Sequence, residues 1–140
     1  MRHRPLLFSF AAVLLGAAPL PTTLEVKLLG LRNDRGTARV AVFATRDGWP
    51  QQDGKAYRRA IANIDRGRAS VSFEGLPPGA YAVIAFHDED GDERLKTGLF
   101  GVPVEGWGAS NDARATFGPA FDDALVKVEA SKAISFSIRY

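Results

Sequence analysis

SVSFEGLPPGAYAVIAFH, residues 70–87, decides how this chain folds. Val71 and Phe73 alternate with Ser70, Ser72 and Glu74, the period-two pattern of a strand with one buried face. Residues 80–86 are apolar on both faces, as expected of a central strand covered on each side. Between them stand Pro77, Pro78 and Gly79. Proline presets φ there, and Gly79 is expected to supply the positive φ of a tight type II turn.

The same period continues outward. Leu24, Val26 and Leu28 alternate with Glu25 and Lys27, and Ala38, Val40 and Val42 form another apolar face. Ile134, Phe136, Ile138 and Tyr140 alternate with Ser135, Ser137 and Arg139. Residues 124–128 read as a further short strand. Residues 57–64 fit a strand or two helical turns, and the strands on either side favour a strand. Asn33-Asp34-Arg35-Gly36 reads as a hairpin connection between the first two strands. Close turns, the lack of a long amphipathic stretch and the lack of βαβ alternation predict an all-β fold. The expectation is an antiparallel seven-stranded β-sandwich, a barrel being the alternative, with one long irregular loop over residues 88–123. Loops of that length inside compact domains tend to be functional.

Arg2 and Arg4, the apolar run of residues 6–15 and the small residues Gly16, Ala17 and Ala18 have the layout of a secretory signal peptide. The run is too short to span a bilayer. The chain therefore divides into a signal peptide over residues 1–18, cut somewhere between residues 17 and 22, and a single domain over residues 23–140. Periplasmic or secreted export is expected. The full chain has 18 Lys+Arg against 16 Asp+Glu, so losing Arg2 and Arg4 leaves a formally neutral domain. A neutral domain without a basic stripe argues against nucleic acid as a partner. With no Cys, disulfides, Cys-ligated zinc and thiol catalysis are excluded, and 140 residues exclude a (β/α)₈ barrel.

Candidate chemistry gathers behind the central strand. Asp88, Asp90 and Asp92 stand two apart, a spacing at which a bending loop converges carboxylates on a hard cation such as Ca²⁺. Glu93 and Leu99 occupy the places where an EF-type loop wants glycine and a bidentate acid, so a solvated acidic turn is the competing reading. Arg94 and Lys96 are available to offset the like charges. His87 is either a ligand or general base, or a strand-end histidine bonded to a loop carbonyl. Ser110 lacks a G-x-S-x-G surround, and nothing in the spacing singles out Glu105 with Asp112 as a catalytic pair. Residues 98–121, glycine-rich with Trp107, either line a shallow groove or pin the loop to the sandwich edge; Trp49 with Pro50 invites the same two readings.

GLRNDRG (30–36), VAVF (40–43), FEGLPPGAYAV (73–83), HDEDGD (87–92), GVPVEGWGASN (101–111) and FGPAFDDA (117–124) occur in that order. Together they resemble the DUF2141 family, small exported bacterial proteins with no assigned activity. The resemblance implies a sandwich of the transthyretin or carboxypeptidase-regulatory type. Its acidic loop usually reads H-D-x-N-x-N-G-x-L-D; here Glu93 replaces the glycine and Lys96 the final acid, which weakens the ion site. The hydroxyisourate hydrolase of transthyretin-like fold needs several histidines and a Y-R-G-S ending, which this chain lacks. The function expected is a non-enzymatic envelope module that binds a protein, glycan or small molecule. Its face would be built from His87, Glu105, Trp107 and Asn111, ordered by a divalent cation at Asp88, Asp90 and Asp92. The alternative is a small hydrolase using His87 with a loop carboxylate.

Overall fold

Two sheets share one apolar interior in this computed structural model, which describes residues 16–115 and 118–140. Residues 1–15 of the expected signal peptide lie outside the described residues. The strands are β1 (Thr22–Leu29), β2 (Thr37–Phe43), β3 (Arg58–Ala62), β4 (Ala69–Leu76), β5 (Gly79–Asp88), β6 (Trp107–Ala109), β7 (Leu125–Val128) and β8 (Lys132–Ser137). The smaller sheet has the order β4-β1-β8. The larger runs β3-β2-β5, with β7 and β6 end to end along the far edge of β5, β7 beside Gly79–Ala82 and β6 beside Ile84–Phe86.

The alternation read from the sequence sets which side chains go inside. Leu24, Val26 and Leu28 of β1, Phe73 of β4 and Phe136 of β8 meet Val40, Val42, Val83, Val126 and Val128 of the larger sheet in one core cluster. Burying each such side chain contributes about 1.5–3 kcal/mol. The doubly apolar β5 has an equally direct cause. Tyr81, Val83 and Ala85 face the core, whereas Ala82 faces a second cluster with Ala109, Ala113 and Ala124. Trp49 roofs that cluster, edge-on to Phe43 at 5.4 Å and to Phe121 at 5.8 Å, and its indole N–H donates to the Pro119 carbonyl at 2.7 Å. Residues 57–64 do contain a strand, β3.

Four expectations are corrected. Eight strands are present among the described residues, not seven: β6 lies inside the expected loop, three residues too few to show a period. The sheets are not wholly antiparallel, because β8 runs parallel to β1 with Ile134 opposite Val26. Alternation fixes the face of a strand and carries no direction. Asn33-Asp34-Arg35-Gly36 joins strands of different sheets, so it is a crossing between layers and not a hairpin. The Pro77-Pro78-Gly79 turn makes the same crossing, and the left-handed glycine of that corner is Gly75 at φ 71°, not Gly79.

Candidate functional site

One end of the two-sheet fold gathers the β1–β2 crossing, the end of β5 and the segment leading to β6. The last two residues of β5 project to opposite faces. Asp88 is fully buried. Its Oδ2 accepts from Arg39 Nε at 2.6 Å and from the Glu93 amide at 3.2 Å, and its Oδ1 accepts from the Gly91 amide at 2.9 Å. The loop is therefore wound around the Asp88 carboxylate, with Arg39 from β2 as counter-charge. Removing one partner of such a buried pair typically costs about 3–5 kcal/mol.

The neighbouring acids are likewise engaged. Glu89 takes both Arg32 Nε (2.7 Å) and Arg32 Nη2 (2.5 Å), and Asn33 Nδ2 at 2.8 Å. The Arg32 hydrogen bond, against the opposing effect of burial and with help from Asn33, holds its pKa down at about 2. Lys96 Nζ lies 3.1 Å from Asp90 Oδ2, lowering the Asp90 pKa and raising its own. Glu105 is 3% exposed and has no ion pair among the described residues; it accepts the Glu89 amide and the Lys96 amide, each at 3.0 Å. That carboxylate ties the start of the loop to its return. Asp88, Asp90 and Glu105 each offer an oxygen within 4.8 Å of the others. Asp92 is not among them. The chain reverses at Gly91 (φ 75°), and Asp92 Oδ1 accepts the Arg94 amide at 2.8 Å.

His87 is fully buried on the core-facing side. Its Nε2 donates to the Arg35 carbonyl at 2.6 Å, which leaves Nδ1 to accept from the Tyr140 hydroxyl at 2.6 Å. Tyr140 Oη in turn accepts the Arg32 amide at 3.1 Å, under the Arg32 guanidinium 4.3 Å from its ring centroid. Glu89 Oε1 stands 3.8 Å from His87 Nδ1. Trp107 pairs with Phe86 and so lies on the opposite face of the sheet from His87, with Arg114 5.4 Å from its ring centroid. Asn111 is elsewhere: its Nδ2 donates to the Asp123 and Leu125 carbonyls, pinning the loop to β7. Ser110 is fully buried beside it. Its Oγ accepts the Val83 amide at 3.0 Å and approaches the Ala124 carbonyl at 2.5 Å. His87 and Glu105 thus belong to one end of the fold, Trp107 to its outer face and Asn111 to a loop anchor.

A feature that the sequence left unread projects from the Glu105 tie. Residues 96–104 form a small hairpin, with the Gly98 amide on the Val102 carbonyl (2.7 Å) and the Val104 amide on the Lys96 carbonyl (2.9 Å). At its apex Phe100 (φ 61°, ψ 20°) and Gly101 (φ 72°) are both left-handed, and the Val102 amide reaches the Leu99 carbonyl at 3.4 Å. That is a type I′ turn, which favours Asn-Gly over a bulky residue. Phe100 is 97% exposed and Leu99 84%, with Val102 at 61% and Val104 at 47%. Val104 also borders a shallow cleft of about 280 Å³ shared with Arg32, Arg35, Asp90 and Lys96. The signal available in the sequence was the apolar LFGVPV (99–104) between Lys96-Thr97-Gly98 and Glu105.

Fold and site together define a mostly β, two-sheet protein whose acidic loop pairs Asp88, Glu89, Asp90 and Glu93 with basic side chains and carries an apolar hairpin. The chain belongs to the DUF2141 family, described as an uncharacterized protein conserved in bacteria, whose model matches residues 26–135. No curated protein and no solved structure matches the chain. No helix among the described residues is long and apolar enough to cross a membrane.

Proposed function

We propose that this protein is an exported interaction module of the bacterial cell envelope, related in fold to the transthyretin-type sandwiches, whose working face is the segment after β5. One observation carries the reading. Of the nine large apolar side chains exposed among the described residues, four fall within residues 99–104, on a hairpin held at its root by buried Glu105. A cluster of that kind marks an interaction site more often than a folding need. The hydrolase alternative is the weaker one, since both His87 nitrogens are engaged and no solvent reaches the ring. Expressed in a bacterium, the chain should be recovered from periplasm or medium, beginning between residues 18 and 23. Recovery in the cytosol with residues 1–18 attached would overturn export. Ester or amide turnover that His87→Gln abolishes without lowering the melting temperature would establish the enzyme instead.

A second reading concerns a divalent cation. Asp88, Asp90 and Glu105, not Asp92, form the seat that favours it, with Lys96 as the competing charge on Asp90. Ca²⁺ should raise the melting temperature of the wild type and leave an Asp90→Asn/Glu105→Gln variant unmoved. Identical melting in Ca²⁺ and in chelator removes the ion.

A further inference from the structure

We infer that the hairpin of residues 96–104 is a lipid-surface anchor: its apolar apex enters the acyl boundary of a membrane while the cations at its root meet the headgroups. The inference rests on the interaction reading above and names its partner. The shape is the first argument. Leu99, Phe100 and Val102 crown a convex tip, where they offer a partner protein no groove, and a fluid apolar phase accepts such a tip without shape complementarity.

The charge distribution is the second. Asp88, Glu89, Asp90 and Glu93 are each bound to a basic side chain, and Glu105 is held by two amides. Among the described residues Arg35 and Arg94 make no side-chain hydrogen bond or ion pair, and Asp92 alone of these acids has neither a cation nor a second amide. Arg35 lines the cleft beside Lys96 and Val104, and Arg94 is an exposed residue two positions before the hairpin begins; guanidiniums on such long stems have the reach to meet headgroups while the tip is immersed. The third argument is the apex itself. A left-handed Phe that is 97% exposed contributes nothing to packing, and strain kept at such a place points to a use outside the fold.

The test is flotation of the full chain with vesicles of phosphatidylcholine alone and with added phosphatidylglycerol, comparing wild type with Phe100→Asn and with Arg35→Gln/Arg94→Gln. Phe100→Asn creates the Asn-Gly pair that the turn prefers, so it folds, and the leader, common to all variants, cancels from the comparison. Phe100→Asn should weaken binding to both vesicle types by about ten- to hundredfold, the loss expected for withholding one phenyl ring from an apolar phase. The arginine variant should lose only the preference for phosphatidylglycerol. Because the chain has no Cys, a fluorophore on Thr97→Cys should also shift to the blue on vesicles, and one on Ser72→Cys should not. Equal flotation of wild type and Phe100→Asn, or no blue shift at residue 97, overturns the lipid anchor. A photo-reactive group at residue 100 that labels a protein and no lipid would overturn it while leaving the interaction module standing.

Discussion

Glu105→Ala is expected to loosen the whole segment between β5 and β6. The Glu105 carboxylate is 3% exposed and accepts two amides, those of Glu89 and Lys96, each at 3.0 Å. Hydrogen bonds to a charged acceptor contribute about 1.5–3 kcal/mol each, and amides left buried without a partner cost a similar amount. Some of that is recovered because Lys96 is exposed and water can reach its amide once the loop relaxes. The net destabilisation should be roughly 2–4 kcal/mol, or on the order of 10 °C in melting temperature for a domain of this size. The assay is thermal unfolding followed by circular dichroism in chelator, so that a bound cation does not enter. Amide exchange adds the position: the Glu89 and Lys96 amides should lose protection beyond the uniform loss that the global destabilisation imposes on the β1–β4 ladder. A melting temperature within about 2 °C of wild type, with the Lys96 amide still protected, would refute the view that Glu105 roots the hairpin.

The Arg32–Glu89 pair gives a pH dependence. With the Glu89 pKa lowered from 4.5 to about 2, its stabilisation is fully present above pH 4.5 and is lost as pH falls toward 2. Screening at the half-exposed Arg32 leaves about 1–2 kcal/mol, which Glu89→Gln should remove from urea titrations across that range; a Gln variant with the same acid slope contradicts it. Ser110→Ala strands the Val83 amide and the Ala124 carbonyl and should cost about 1–3 kcal/mol in the urea midpoint at unchanged slope; a change below about 0.5 kcal/mol is the contrary result. Phe100→Asn should stabilise the fold by about 0.5–1 kcal/mol in the same assay, by relieving a left-handed Phe at a type I′ turn, and destabilisation would show that the ring packs.

What was legible in the sequence was whatever period two encodes. Val26 with Leu28, and Phe136, went to the core as their alternation required, while the doubly apolar β5 is covered on both faces, Val83 and Ala85 in one cluster and Ala82 in the other. Direction was not encoded, so the parallel pairing of β8 with β1 escaped, and so did β6, whose Trp107, Gly108 and Ala109 are too few to alternate. At the site, the acidic run drew the eye to Asp92 by its spacing. Glu105, far along the chain, is brought to Asp88 and Asp90 by the pairing of β6 with β5, which no local pattern announces. Arg39 is the counter-charge of Asp88 for the same reason, sitting across the sheet on β2. The composition around Leu99 and Phe100 fits either a shallow groove or a loop pinned to the fold. Only two successive left-handed residues, Phe100 and Gly101, turn them outward at an apex.

The most direct test places a photo-activated cross-linking residue at position 100 of the chain expressed in a living bacterium, with the same residue at Ser72, an exposed position of β4, as the comparison. Covalent adducts formed in the envelope fraction at position 100, and absent at position 72, are the predicted result. Equal labelling at both positions, or a chain that stays in the cytosol and gives no adduct at 100, would contradict an exported module that works through this hairpin.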